Sequence, residues 1–187
     1  MGLVSAWAWG SDTVRSPPKD RVLRAIAFLQ VFTYALYQSL ENLAYLASKG
    51  IAGKRLVDRW GGVGAWYLWS TRAWLGHVVL DFIKLGREHA LRLSMTKAQQ
   101  ARSAMTNTVA DEMTTMLDSA KEDEEEARRL EVRRWRKSLV NNLIWAPLYV
   151  HWSLEDGIGV PDSLTGLIGL IAGAWGLHDS WRATAKC

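Results

Sequence analysis

The pattern of apolar and polar residues predicts helices along most of the chain. Between Arg21 and about Ser48 the apolar positions recur at helical spacing, which predicts one amphipathic helix. Its predicted apolar face consists of Val22, Ile26, Leu29, Leu36, Tyr37, Leu40, Leu43 and Ala47. The run Gly50-Ile51-Ala52-Gly53 supplies a helix end. No segment alternates at strand spacing, so the predicted fold class is all-α.

Four regions follow from this pattern. Residues 1–20 are broken by glycine and proline and are predicted to be irregular. Residues 21–86 are predicted to form amphipathic or interfacial helices. Within the second region Trp60 to Leu80 has the length of a span, but Arg72 lies in its middle. An unpaired central arginine costs about 2.5 kcal/mol or more in a membrane, so we expect an interfacial or buried helix there. Residues 87–137 contain almost no Gly or Pro and predict a polar, charged helical arm, partly disordered near 100–125.

Region 138–187 has the pattern of a transmembrane helical hairpin. Two uncharged runs, Ser138–Leu154 and Ser163–Leu177, flank an acidic turn-forming loop at 155–162. Basic residues lie outside both runs: Arg133, Arg134, Arg136 and Lys137 before them, and Arg182 and Lys186 after them. The positive-inside bias then places both ends in the cytosol.

Glycines recur at spacings of three and four in the second run and therefore line one helix face: Gly166, Gly169, Gly173 and Gly176. Each glycine costs about 1 kcal/mol relative to alanine in a water-exposed helix. That cost is offset where two backbones approach closely, as in GxxxG packing in membranes. We predict a helix-packing or oligomerisation face, with a tightly packed soluble helix pair as the alternative.

Composition fits a membrane surface. The net charge of +4 and pI near 9.3 suit anionic headgroups or nucleic acid equally, but the basic cluster precedes an apolar run, which favours headgroups. The chain has 11 Trp, a residue that prefers the headgroup zone; in a soluble bundle the same residues would be core. The predicted membrane-surface set is Arg133, Arg134, Arg136, Lys137, Trp135, Trp145, Trp152 and Trp181.

Candidate chemistry is sparse. His77 with Asp81 and His151 with Glu155 are i,i+4 pairs, for which a hydrogen bond between histidine and a neighbouring carboxylate is favoured over a metal site. Arg72, His77 and Asp81 are the predicted interfacial or intramembrane polar residues, with Trp69, Trp74 and His77 close to Arg72. No phosphate loop, nucleophile elbow or catalytic carboxylate pair is recognisable, so we expect no enzyme, cofactor or metal.

Three blocks resemble the peroxin-eleven family, especially its fungal branch. They are Tyr37 to Ile51; Trp69 to Trp74 with His77-Val78 and Arg87-Glu88; and Trp135 to Trp181. The resemblance implies a helical peroxisomal membrane protein that elongates and constricts peroxisomes before fission. It also implies self-association, or association with family paralogues, and cooperation with a dynamin-related GTPase and its adaptor.

The family remodels membranes partly through an amphipathic helix with a basic face. Here the basic side of the Arg21–Ser48 helix is limited to Arg21, Arg24 and Lys49, which leaves direct membrane bending open. Two alternatives stay open as well. One is a soluble helical interaction module, and the other is a metabolite-passing channel lined by Arg72, His77 and Asp81.

Overall fold

A computed structural model describes residues 3–51, 53–106 and 114–184, and every regular element in these ranges is an α-helix. The predicted all-α class is therefore confirmed. The helices of the described ranges are α1 (Leu3–Arg15), α2 (Arg21–Ser48), α3 (Lys54–Arg59), α4 (Gly62–Thr106), α5 (Thr114–Trp152) and α6 (Asp162–Thr184).

Helix α2 has the bounds that the sequence predicts, because each end carries a capping signal. At its start the Oδ1 atom of Asp20 accepts hydrogen bonds from the Val22 and Leu23 N–H groups, both at 3.0 Å. At its end Gly50 takes a φ of 71°, and the Ile51 N–H donates to the Leu46 carbonyl. Asp20 also forms an ion pair with Arg87 of α4 at 2.8 Å, so the start of α2 is fixed to α4.

The prediction that residues 1–20 are irregular is wrong, since α1 occupies most of them. Gly10 does not break this helix but allows close packing: a Cβ atom there would lie 3.1 Å from Cγ1 of Val31 in α2. The two prolines fall beyond the end of α1, where they cannot interrupt it. Helix α1 thus packs against α2.

Helices α4 and α5 form the long antiparallel pair of the molecule. Leu85 contacts Trp135, and Arg72, earlier in α4, contacts Ser153, just after the end of α5. The two helices therefore run in opposite directions. The predicted polar arm at 87–137 is therefore not one helix, because its residues belong partly to α4 and partly to α5. Part of the segment predicted to be partly disordered, 107–113, lies outside the described residues.

Within the described ranges, no helix combines the length and apolar content that crossing a bilayer requires. This finding does not support the predicted transmembrane hairpin at 138–187. The uncharged run of α6 is shorter than the roughly 20 residues of a span, and α5 joins its apolar end to a highly charged stretch. A helix–loop–helix is nevertheless present, since α5 ends at Trp152 and α6 begins at Asp162.

Candidate functional site

The side of α2 that packs against α4 is polar as well as apolar. Gln30 is only 2% exposed, and its Nε2 donates a 2.6 Å hydrogen bond to Oδ1 of Asp81. Nδ1 of His77 lies 3.2 Å from the Gln30 carbonyl oxygen and 3.4 Å from Oγ1 of Thr33. The structure therefore places His77 and Asp81 at the α2–α4 interface, where they connect the two helices.

An aromatic cluster surrounds His77. The imidazole stacks on Trp74 with ring centroids 5.1 Å apart, and the rings of Trp9 and Tyr34 each lie 6.0 Å from it. Tyr149 of α5 meets Trp74 edge-on at 5.8 Å. Burial lowers the pKa of His77, against the opposing charge of Asp81, and burial raises the pKa of Tyr149. These rings join α1, α2, α4 and α5 in one packed cluster.

Arg72 lies on another side of α4, facing the end of α5. Its Nε donates to the Ser153 carbonyl at 3.0 Å, and its guanidinium carbon lies 5.0 Å from the Trp69 ring centroid. The prediction that Trp69 helps to satisfy Arg72 is confirmed, whereas Trp74 and His77 stack on each other instead. Arg72 and Asp81 line two different cavities, so the structure does not join the three predicted polar residues into one lining.

His151 holds the loop between α5 and α6. Its Nδ1 accepts a 3.0 Å hydrogen bond from the Ile158 N–H, so the predicted pairing with Glu155 is wrong. The loop folds back over the imidazole at Gly157, where φ is 64° and a Cβ atom would collide with the ring. In the part of the chain that the structure describes, no three His, Cys, Asp or Glu side chains are grouped to hold a metal ion.

The predicted membrane-surface residues of α5 and α6 divide into two groups. Trp135 faces α4, because its Nε1–H donates to the Leu85 carbonyl at 2.9 Å and its ring stacks on His89. Trp145 likewise stacks on Tyr149, at 5.8 Å. The exposed members are Arg133, Arg134, Arg136, Lys137, Trp152 and Trp181.

The placement of Trp135 corrects its assignment to the membrane surface. Its neighbours Arg134 and Arg136 lie at other angles around the helix and are exposed.

Helix α2 presents an apolar face away from α4. Its large side chains are substantially exposed, up to 62% for Phe32 and 51% for Leu29. We call this face the apolar stripe of α2; it consists of Val22, Phe28, Leu29, Phe32 and Leu36. Of the apolar face predicted from the sequence, Ile26 and Ala47 are buried, whereas Val22, Leu29 and Leu36 are exposed.

The glycine face of α6 meets no neighbouring helix in the described part of the chain. A Cβ atom at Gly166, Gly169 or Gly173 would find nothing within 4 Å. The surroundings of Gly176 lie outside the described residues. The same helix exposes further large apolar side chains, namely Leu164, Leu167, Leu170, Ile171, Leu177 and Trp181.

Comparison with known proteins identifies the family. No curated protein and no solved structure matches the chain. One family model does match, that of Peroxisomal biogenesis factor 11 (PEX11), over residues 10–181. The matched range runs from within α1 to Trp181 in α6 and contains all three blocks on which the resemblance rests. The chain therefore belongs to the Peroxisomal biogenesis factor 11 (PEX11) family.

Proposed function

We propose that this peroxisome biogenesis protein binds the cytosolic leaflet of the peroxisomal membrane and promotes elongation and division of the organelle. The description of its family names a role in peroxisome biogenesis. We propose no catalytic activity for this protein. In this proposal α2 lies in the headgroup region and wedges the leaflet, with both termini of the chain in the cytosol. A place in the fungal branch of the family stays a prediction.

The apolar stripe of α2 is the observation that carries the proposal. Large exposed apolar patches on a folded protein mark sites of interaction with proteins or membranes. The residues of the stripe recur at helical spacing on one face of α2, as in helices that lie flat in a bilayer interface. Arg21 and Arg24 are exposed on the same helix, where their long side chains can reach lipid phosphates.

The packing behind the stripe supports a wedge. The opposite side of α2 is held to α4 by the Gln30–Asp81 hydrogen bond and the Asp20–Arg87 ion pair. A helix attached in this way inserts as part of a larger body, so the membrane must deform around it. The exposed basic cluster of α5 adds attraction to anionic headgroups.

Self-association belongs to the same proposal. The open glycine face of α6 offers close backbone approach to a second copy or a paralogue. Cooperation with a dynamin-related GTPase and its adaptor completes the proposed role in fission and rests on the family resemblance alone.

Vesicle co-sedimentation of the Leu29→Gln/Phe32→Gln variant tests the central step. We expect its partition onto anionic vesicles to fall by about tenfold or more, because two apolar side chains leave the acyl boundary. The matched control is Leu93→Gln/Met95→Gln, which changes two exposed apolar residues of α4. Equal partition of both variants would contradict a role for the stripe.

A further inference from the structure

A cavity of about 1030 Å³ lies between the first turns of α4 and the α5–α6 loop. Its volume lies just above the range of about 300–1,000 Å³ that is typical of small-molecule sites. We call it the Arg72 groove; the lining residues that matter here are Tyr67, Trp69, Arg72, Trp152, Glu155 and Asp156.

Arg72 is held in place within this groove. The Nε bond to the Ser153 carbonyl and the Trp69 ring fix the plane of the guanidinium. None of the ion pairs in the described ranges includes Arg72. A guanidinium presents a rigid fork of N–H donors that matches phosphate oxygens, so this residue suits a phosphate group.

The loop side of the groove carries the opposite charge. Glu155 and Asp156 are exposed there, and no ion pair in the described part of the chain involves them. Two carboxylates oppose a purely anionic ligand but attract an ammonium group. The aromatic rings of Tyr67 and Trp152, which also line the groove, favour a cation, above all a quaternary one.

We propose that the Arg72 groove binds the headgroup of a zwitterionic phospholipid. Arg72 takes the phosphodiester, while Glu155 and Asp156, with the aromatic rings, take the choline or ethanolamine ammonium. Trp69, Trp152 and Leu154 are exposed around the groove, as residues of a membrane interface are. This inference rests on the proposed function, because the groove must meet a bilayer to receive a lipid.

Saturation-transfer NMR of the full chain in detergent tests the proposal with soluble headgroups. We expect glycerophosphocholine and glycerophosphoethanolamine to bind, and Arg72→Gln to weaken both by about tenfold through loss of charge-assisted hydrogen bonds. Glu155→Gln/Asp156→Asn, on the exposed loop, should weaken glycerophosphocholine but strengthen inorganic phosphate. Arg133→Gln in the exposed cluster of α5 is the matched control and should leave the binding of all three ligands unchanged.

The outcomes separate a lipid headgroup from free phosphate. Displacement of phosphate by glycerophosphocholine supports the proposal, whereas phosphate binding that glycerophosphocholine cannot displace overturns it. If circular dichroism shows that Arg72→Gln does not fold, the Glu155→Gln/Asp156→Asn variant is the test. Glycerophosphocholine binding that is unchanged in that variant overturns the proposal.

Vesicle binding without headgroup binding refutes the groove and leaves the proposed function intact. Headgroup binding by a protein that does not sediment with vesicles refutes the proposed function instead.

Discussion

His77 shows how one half-buried residue joins the packing of three helices, α1, α2 and α4. Its ring stacks on Trp74, approaches Trp9 and Tyr34, and lies beside the Gln30 carbonyl. A charged imidazole would lose solvation there, which is why burial lowers its pKa. The neutral ring is thus the form that the folded cluster favours.

We expect the free energy of unfolding to decrease as the pH falls below about 6.5, the ordinary pKa of histidine. Below that value the unfolded chain binds a proton at His77 that the folded chain still resists, so acid favours unfolding. The stabilising contribution is fully present above that pH and is lost as the pH falls toward the lowered pKa. Thermal unfolding in detergent at pH 7.5 and 5.5 measures the change.

The His77→Asn variant is the reference for this measurement, because asparagine keeps a polar side chain but does not titrate. We expect its unfolding temperature to depend less on pH in this window than that of the wild type. Parallel pH profiles for the two proteins would contradict a half-buried His77 that is neutral in the folded state.

At the scale of elements, Trp135 fixes the crossing of α4 and α5. Its indole N–H donates to the Leu85 carbonyl, and its ring stacks on His89 near the Arg92 guanidinium. The Trp135→Phe variant removes the donor but keeps an aromatic ring. We expect a loss of about 1 kcal/mol in the free energy of unfolding, measured by urea titration.

The control for this prediction is Trp181→Phe, since Trp181 is 73% exposed and makes no such bond to another helix in the described residues. We expect its effect to stay within about 0.5 kcal/mol. Equal losses in the two variants would contradict a specific role for the Leu85 carbonyl.

The position of α2 could be predicted from the sequence, but its packed face could not. The end of α2 was predictable because Gly50 is a local capping signal, and the structure adds Asp20 as the cap at its start. Its packed face was not, because Gln30 is buried against Asp81, a residue distant in sequence. Periodicity groups apolar residues on one helix face but does not determine whether that face is packed or exposed, and here Leu29 and Phe32 are exposed.

At the scale of the whole molecule, the C-terminal pattern of charge and glycine predicted a transmembrane hairpin, which the structure does not support. The same pattern suits helices that lie along a bilayer, and no described helix is long and apolar enough to cross one. The Arg72 groove also escaped prediction, because Arg72 and the loop at Glu155 are brought together only by the antiparallel pairing of α4 and α5.

The open glycine face gives a prediction about assembly. We expect Gly169→Leu/Gly173→Leu to reduce crosslinking between copies in membranes by about tenfold, because the added side chains separate the two backbones. A Cβ atom at either position contacts nothing in the described chain, so a loss of crosslinking reports on another copy. Ala174→Leu, exposed on the same helix, is the control, and equal crosslinking of both variants would contradict the packing face.

The most direct measurement of the central claim is imaging of the tagged protein with a peroxisome marker, at normal and raised expression. We expect the wild type to colocalise with peroxisomes and to elongate them when its expression is raised. The Leu29→Gln/Phe32→Gln variant should leave peroxisomes round, while Leu93→Gln/Met95→Gln should behave as the wild type. Elongation by the stripe variant equal to that by the wild type, or a diffuse wild-type signal, would contradict the claim that the apolar stripe of α2 remodels the peroxisomal membrane.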